Sequence, residues 1–231
     1  YPTISITFSS SPLIKHIRSL ASSLSNIFLA VSAIMRLSAL TYRVFNLSLF
    51  SVSCLVRFAN ILTPRFAFLS CLNPGDEIIV PEPAYANYMA FAVSCGAVIK
   101  PVKTNIENGF KLPSVEEFEK QITDKTRAIL ICNPNNPTST AITLSDMERI
   151  LKHCKEHGIF VMVDETYVEF APCVEEITAM PLVAEYDNIM ILRGVSKFFA
   201  APGLRLGYGV TSNVHFLNVI LKNQNPWSMI S

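Results

Sequence analysis

The chain has 231 residues, 50% of them hydrophobic and 16% charged, with a formal net charge of +1; this is the length of one large domain or two small ones and enough to bury a sizeable core. A near-neutral balance without a Lys/Arg run excludes a nucleic-acid footprint and a polybasic membrane patch, leaving small molecules as the expected partners. Cys54, Cys71, Cys95, Cys132, Cys154 and Cys173 form no C-x-x-C pair and no dense framework, so they read as reduced, mostly buried thiols of a cytoplasmic protein, and a zinc ribbon is excluded.

In chain order, the first feature is a break in composition. Residues 1–70 contain no Gly, Asp or Glu but six Lys/Arg, while all eight glycines and all 18 acidic residues lie beyond. A globular domain built this way lacks ordinary turn and cap chemistry. A membrane span needs roughly 20 apolar residues, and the uncharged stretch 19–35 is shorter and interrupted by serines and Asn26. A cleavable signal requires a basic start and an early apolar core, whereas this chain opens Tyr1-Pro2-Thr3-Ile4-Ser5. Residues 1–70 are therefore expected to be anomalous, not the authentic reading of the gene or not well folded, and membrane association is not expected. Residue 1 is not Met, and the chain reads as a fragment.

From Cys71 the pattern becomes regular. Short apolar runs at 78–81, 97–102, 128–132, 159–163, 188–192 and 204–210 read as strands buried on both faces, as in a parallel sheet. Amphipathic stretches at 85–94, 114–122 and 143–157 read as helices between them. The last is the best defined: Thr143 is placed as N-cap, Leu144, Met147, Leu151 and Cys154 form one stripe, and Gly158 ends it. Alternating strand and helix predicts an α/β fold with a mostly parallel sheet. The core of this unit is expected over 71–211, with 212–231 leading toward a smaller domain that is largely missing.

In such sheets ligands sit at the carboxyl ends of the strands, and the chemistry-bearing residues fall there. Asn133-Pro134-Asn135-Asn136-Pro137-Thr138 follows one expected strand, Asp164-Glu165-Thr166-Tyr167 the next, and Ser196-Lys197 the one after. Lys197 lies among small and apolar residues with Arg205 eight positions later. A lysine amine whose charge is disfavoured can attack an aldehyde, and an arginine fork suits a phosphate on the same ligand. An aldehyde plus a phosphate describes pyridoxal phosphate. Its ring needs a carboxylate at the pyridine nitrogen, for which Asp164 is available, and partners for the 3-oxygen, for which Tyr167 and Asn136 are available. It also needs a stacking aromatic, for which Tyr85 is the candidate.

Taken together, Asn73-Pro74-Gly75-Asp76-Glu77, Pro83-Ala84-Tyr85, residues 133–138, residues 164–167, and Ser196-Lys197 through Arg205-Leu206-Gly207-Tyr208 resemble the fold-type I, class I/II aminotransferases in the same order. Within that family, the runs 164–170 and 192–197 look closest to the histidinol-phosphate aminotransferase-like branch. The resemblance covers 71–211. It implies a three-layer α/β/α large domain, pyridoxal phosphate, amino acid and 2-oxo acid substrates, and a homodimer with sites at the subunit interface. Carried over by motif, Lys197 holds the cofactor covalently and shuttles the substrate's α-proton. Asp164 pairs with the ring nitrogen, Tyr167 and Asn136 with the 3-oxygen, Ser196 and Arg205 with the phosphate, and Tyr85 stacks. A decarboxylase or lyase of the same fold, or a non-catalytic fragment, is the alternative.

The sequence also departs from the family pattern. A glycine-containing turn usually precedes the Asn-Pro-Gly-Asp motif and cradles the phosphate with backbone amides. Here residues 62–68 read Leu-Thr-Pro-Arg-Phe-Ala-Phe, although 66–70 resembles the family helix. Ser139 stands where the family usually has Gly. A further pattern, His153-Cys154-Lys155-Glu156-His157, matches the H-x-x-E-H spacing of zinc peptidases. Its helix has a complete apolar stripe without either histidine, and no third ligand is indicated, so it is read as a solvated flank and no metal ligand is assigned.

Overall fold

The computed structural model describes residues 55–59, 63–204 and 206–223. Seven strands form one sheet: β1 (Leu55–Ala59), β2 (Glu77–Glu82), β3 (Val98–Lys103), β4 (Thr126–Cys132), β5 (Phe160–Asp164), β6 (Ile189–Gly194) and β7 (Leu206–Val210). Their spatial order is β1-β7-β6-β5-β4-β2-β3. β3, β2, β4, β5 and β6 pair in parallel, whereas β7 runs antiparallel to both β6 and β1. The helices are α1 (Thr63–Cys71), α2 (Asn87–Cys95), α3 (Val115–Glu119), α4 (Leu144–Glu156) and α5 (Val214–Asn223).

Successive strand residues point to opposite faces, and the buried residues sort accordingly into two cores. Ile79, Ile129, Ile131, Val161, Val163, Ile189 and Ile191 meet Phe118 of α3 and Met147, Ile150, Leu151 and Cys154 of α4. Their neighbours Ile78, Val80, Ala128, Leu130, Met162, Met190 and Leu192 meet Ala67 and Phe68 of α1, Tyr88, Phe91, Ala92 and Cys95 of α2, and Phe216 and Ile220 of α5. With apolar side chains on both faces the parallel strands must be covered twice, and the result is the expected three-layer α/β/α arrangement. Leu151 is fully buried, so truncating it to alanine removes about 2–5 kcal/mol of stability.

The helix ends follow local rules. Thr143 Oγ1 accepts from the Asp146 amide at 3.1 Å and caps α4, while the amides of Gly158 and Ile159 close its end on the carbonyls of Lys155 and Cys154. Gly96 ends α2 at φ 71°, where its amide bonds to the carbonyls of Ala92 and Val93. A Cβ there would come within 3.1 Å of Pro74, so both conformation and space call for glycine.

Beyond shifts of a residue or two at strand ends, two helices and one boundary depart from the sequence-based reading. α2 begins at Asn87, two residues past Tyr85, because its first turn is closed by tight bonds from Tyr88 N to Tyr85 O and from Met89 N to Ala86 O. α3 spans only Val115–Glu119; the following turns from Gln121 N to Phe118 O and Ile122 N to Glu119 O are too tight to continue it. The composition break at residue 70 does not coincide with an edge of the sheet, since β1 lies before it and α1 runs across it. Beyond 212, α5 lays Phe216 and Ile220 onto the sheet. Expectations for residues 1–54 and 60–62 lie outside the described residues. Among the described residues no helix is long and apolar enough to cross a membrane.

Candidate active site

Four adjacent parallel strands, β6, β5, β4 and β2, end on one edge of the sheet, and each is followed by a segment singled out above. Register places Cys132 beside Asp164 and Asp164 beside Leu192. The loops are tied together: Asn133 N donates to Asp164 O at 2.9 Å, and Asn135 Nδ2 reaches Pro83 O at 3.4 Å. Asn133, 1% exposed, donates through Nδ2 to the carbonyls of Ile142 and Ile177 and accepts the Ile142 amide, which fixes the path of the 133–142 loop. Asn135 Oδ1 accepts from Thr138 N and Oγ1. Asn136 is half-buried at the exit of β4. Ser139 adopts φ 60°, the left-handed region, which explains why a glycine serves at this point of the motif.

Asp164 lies at the centre. It is 6% exposed, and its Oδ1 accepts from the amide of Thr166 at 3.0 Å and its hydroxyl at 2.6 Å. Its Oδ2 accepts from the phenol of Tyr88 at 2.7 Å. No lysine or arginine among the described residues pairs with it. Burial, and then the Asp164 carboxylate, push the Tyr88 phenol well above its ordinary range, so Tyr88 is held as a neutral donor. Burial, followed by Asp164, also raises the neighbouring Cys132 thiol to about 12, which keeps it protonated and unreactive.

Next in the chain, Glu165 is sealed differently. It is fully buried, and its oxygens accept from Thr178 Oγ1, from the Ala179 amide at 2.6 Å, and from Arg193 Nε and Nη2 at 3.0 and 2.6 Å. Burial, the largest single influence, would lower the Arg193 guanidinium, but Glu165, Tyr208 and Glu169 together outweigh it and the net direction is upward. Glu169 approaches the same guanidinium at 3.7 Å, and burial raises its carboxyl. This cluster anchors the end of β5 to β6 and to the turn at Thr178-Ala179.

Tyr85 is 40% exposed, packs edge-to-face on Tyr88 with ring centroids 5.5 Å apart, and accepts a bond from Asn87 Nδ2. A cleft of about 370 Å³ opens beside it, bounded by Glu82, Met89, Lys103 and Thr104, and lined by neither Asp164 nor Lys197. Tyr167 is half-buried, and Lys197 Nζ stands 5.9 Å from its ring centroid, within cation–π range. Lys197 is exposed rather than buried, in a turn closed by Ala200 N donating to Lys197 O. Ser196 is half-buried beside it. Arg205 lies outside the described residues. The structure thus gathers Tyr85, Asn136, Asp164, Tyr167, Ser196 and Lys197 on the edge formed by four strand ends.

Sequence reasoning missed Tyr88 and Thr166 as the donors that orient Asp164, and missed Arg193 and Thr178 as the partners of Glu165. Tyr88 reads in isolation as a core residue, and nothing local links it to a carboxylate 76 positions away.

A three-layer α/β/α domain with polar groups gathered at the carboxyl ends of its parallel strands is built to hold a ligand at that edge. The sequence model of aminotransferase class I and II matches residues 62–231, and the chain belongs to that family. It is 40% identical over 141 residues to a histidinol-phosphate aminotransferase from Methanococcus maripaludis, a match covering 61% of this chain and 36% of that protein. It is 36% identical over 146 residues to an arginine–pyruvate transaminase from Pseudomonas aeruginosa, covering 63% and 37%. The crystal structure of an aspartate aminotransferase from Thermotoga maritima superimposes with a TM-score of 0.68 at 30% identity, covering 76% of this chain and 46% of that one. The matched part therefore spans little more than a third of the length of these curated relatives.

Proposed function

We propose that the chain carries the cofactor-binding half of a pyridoxal-phosphate-dependent aminotransferase that moves an amino group between an amino acid and a 2-oxo acid. The observation carrying this reading is Asp164, a buried carboxylate at a strand end whose described partners are all neutral donors. A carboxylate can accept about four hydrogen bonds, and Oδ2 receives one from Tyr88. Capacity remains for a cationic donor such as a protonated pyridine nitrogen, so the residues fit the cofactor. When bound, pyridoxal phosphate withdraws electron density from the substrate's α-carbon. Asp164 would hold the ring nitrogen protonated, Tyr167 and Asn136 would hydrogen-bond the 3-oxygen, Tyr85 would stack on the ring, and Ser196 and Arg205 would hold the phosphate. Lys197 Nζ would hold the cofactor through its aldehyde carbon and would take and return the proton of the substrate's α-carbon.

A second copy of the chain would cover the adjoining rings of Phe170 and Phe198, 58% and 48% exposed with centroids 5.3 Å apart, giving a homodimer with the site at its interface. The free thiols of Cys71, Cys95, Cys132, Cys154 and Cys173 support a reducing compartment, the cytoplasm.

The test is reduction with borohydride after adding pyridoxal phosphate, followed by peptide mass mapping. The adduct should sit on Lys197 and vanish in Lys197→Ala; an unlabelled wild-type protein, or undiminished labelling elsewhere in the variant, overturns the reading. With histidinol phosphate or arginine as amino donor, formation of the matching amino acid from a 2-oxo acid identifies a transaminase, whereas release of carbon dioxide identifies a decarboxylase.

A further inference from the structure

The opposite edge of the sheet carries a second constellation, outside the site described above. α4 runs between the carboxyl end of β4 and the amino end of β5, so its last turn lies at the amino ends of the strands; Lys155 pairs there with Asp187 at 3.0 Å, and Asn188, just before β6, donates to the Leu151 carbonyl. His153 and His157 are four positions apart on this turn, one above the other on the same helix face, with ring centroids 4.6 Å apart. α3 packs alongside and brings Glu119 to them: one ligand atom from each of Glu119, His153 and His157 lies within 4.8 Å of the others. Glu119 takes part in none of the ion pairs among the described residues.

We infer that Glu119, His153 and His157 form a transition-metal site that staples α3 to α4. Two imidazoles and a carboxylate are a ligand set that zinc accepts, with bonds near 2.0–2.2 Å and thus about 3.3 Å between ligand atoms in a tetrahedral shell. The ligand atoms, within 4.8 Å of one another, would have to draw together by about 1.5 Å to reach that spacing. A second observation points the same way: Nε2 of His153 is buried without a hydrogen-bond partner. A buried polar atom left unsatisfied calls for an occupant, and an ion is one that imidazole nitrogen serves. Glu156, the acid of the H-x-x-E-H spacing, is not among the ligands. The third ligand comes from another helix, so the arrangement differs from the peptidase pattern and has the character of a clamp with one coordination position left for water. α3 gains most, since it is a five-residue helix with Phe118 as its single buried residue. Imidazole in the set selects zinc, cobalt, nickel or copper over magnesium and calcium, which prefer all-oxygen shells.

The test uses the untagged full chain and zinc chloride, with magnesium chloride as control. Calorimetric titration should show one equivalent of zinc bound and none of magnesium, and zinc should raise the unfolding midpoint by about 2–8 °C. Loss of an outer-sphere partner already weakens metal affinity about 10–100-fold, so His157→Ala, which removes a ligand, should cost at least that much. Glu119→Gln should weaken binding less, and the double variant His153→Ala/His157→Ala should lose both the equivalent and the thermal shift. His157 and Glu119 are exposed, so their single variants should melt like wild type without metal, separating a lost ligand from a damaged fold. A wild-type chain that binds no zinc, or a double variant that binds it as wild type does, overturns the inference.

Discussion

Asp164 and Glu165 are neighbours at the end of β5, both buried, and they point into opposite kinds of surroundings. Glu165 meets a guanidinium, a hydroxyl and an amide, so its charge is matched within the chain. Asp164 meets a phenol, a hydroxyl and an amide, all neutral. A buried carboxylate neutralised by its own protein is a fastener; one surrounded by neutral donors still calls for a cation, which under the proposed function a bound cofactor's pyridinium would supply. The alternation of side chains along an extended strand puts these two roles one residue apart.

The contrast can be broken most forcefully at Glu165. Glu165→Ala leaves Arg193, 12% exposed, with only the longer 3.7 Å contact to Glu169 as a charge partner, and should cost about 3–5 kcal/mol in chemical denaturation. Asp164→Asn should do the reverse: stability near that of wild type, with affinity for pyridoxal phosphate reduced about 10–100-fold through loss of a charge-assisted bond of roughly 1.5–3 kcal/mol. If Asp164→Asn unfolds the protein as Glu165→Ala does and leaves cofactor affinity intact, the two carboxylates do not differ in kind.

Tyr88→Phe sharpens the Asp164 side. It removes one donor and should lower stability by about 1 kcal/mol at neutral pH. Its stronger signature is in alkali. The folded-state values of the Tyr88 phenol and the Cys132 thiol are both raised, so their contributions are complete below the unfolded-state values and shrink above them. For Cys132 the decline should run from 9.0 to about 12, and Tyr88 should add to it above 10.0. Cys132→Ala and Tyr88→Phe should each flatten the fall of unfolding free energy across that range. The smallest effect belongs to Ser139→Gly, which relieves a left-handed serine at φ 60° and loosens the unfolded chain in partial compensation, for a net gain between zero and about 1 kcal/mol.

The parallel strands were legible in the sequence because strands buried on both faces are written as short apolar runs, and α4 because a cap, a stripe and a terminal glycine agree. The six motif residues that meet on the strand-end edge were legible for a related reason: each sits within a few residues of a strand end. What escaped was set by distant partners. β1 is a strand because β7 pairs with it across more than a hundred residues of chain, and its surroundings are poor in turn residues. α3 was read too long because its charged residues are compatible with helix, while burial is confined to Phe118. Glu119 could not be joined to His153 and His157 without the packing of α3 on α4, and the Tyr88 bond to Asp164 likewise exists only in three dimensions.

The antiparallel pairing of β1 with β7 has a practical consequence. Residues 55–59 cover the outer rim of the sheet; a chain shortened to begin after Ala59 would leave the amides and carbonyls of β7 as an open edge. Such an edge recruits strands from other molecules. Residues 55–59 thus satisfy the outer amides and carbonyls of β7, and trimming them away should be seen first as lost solubility.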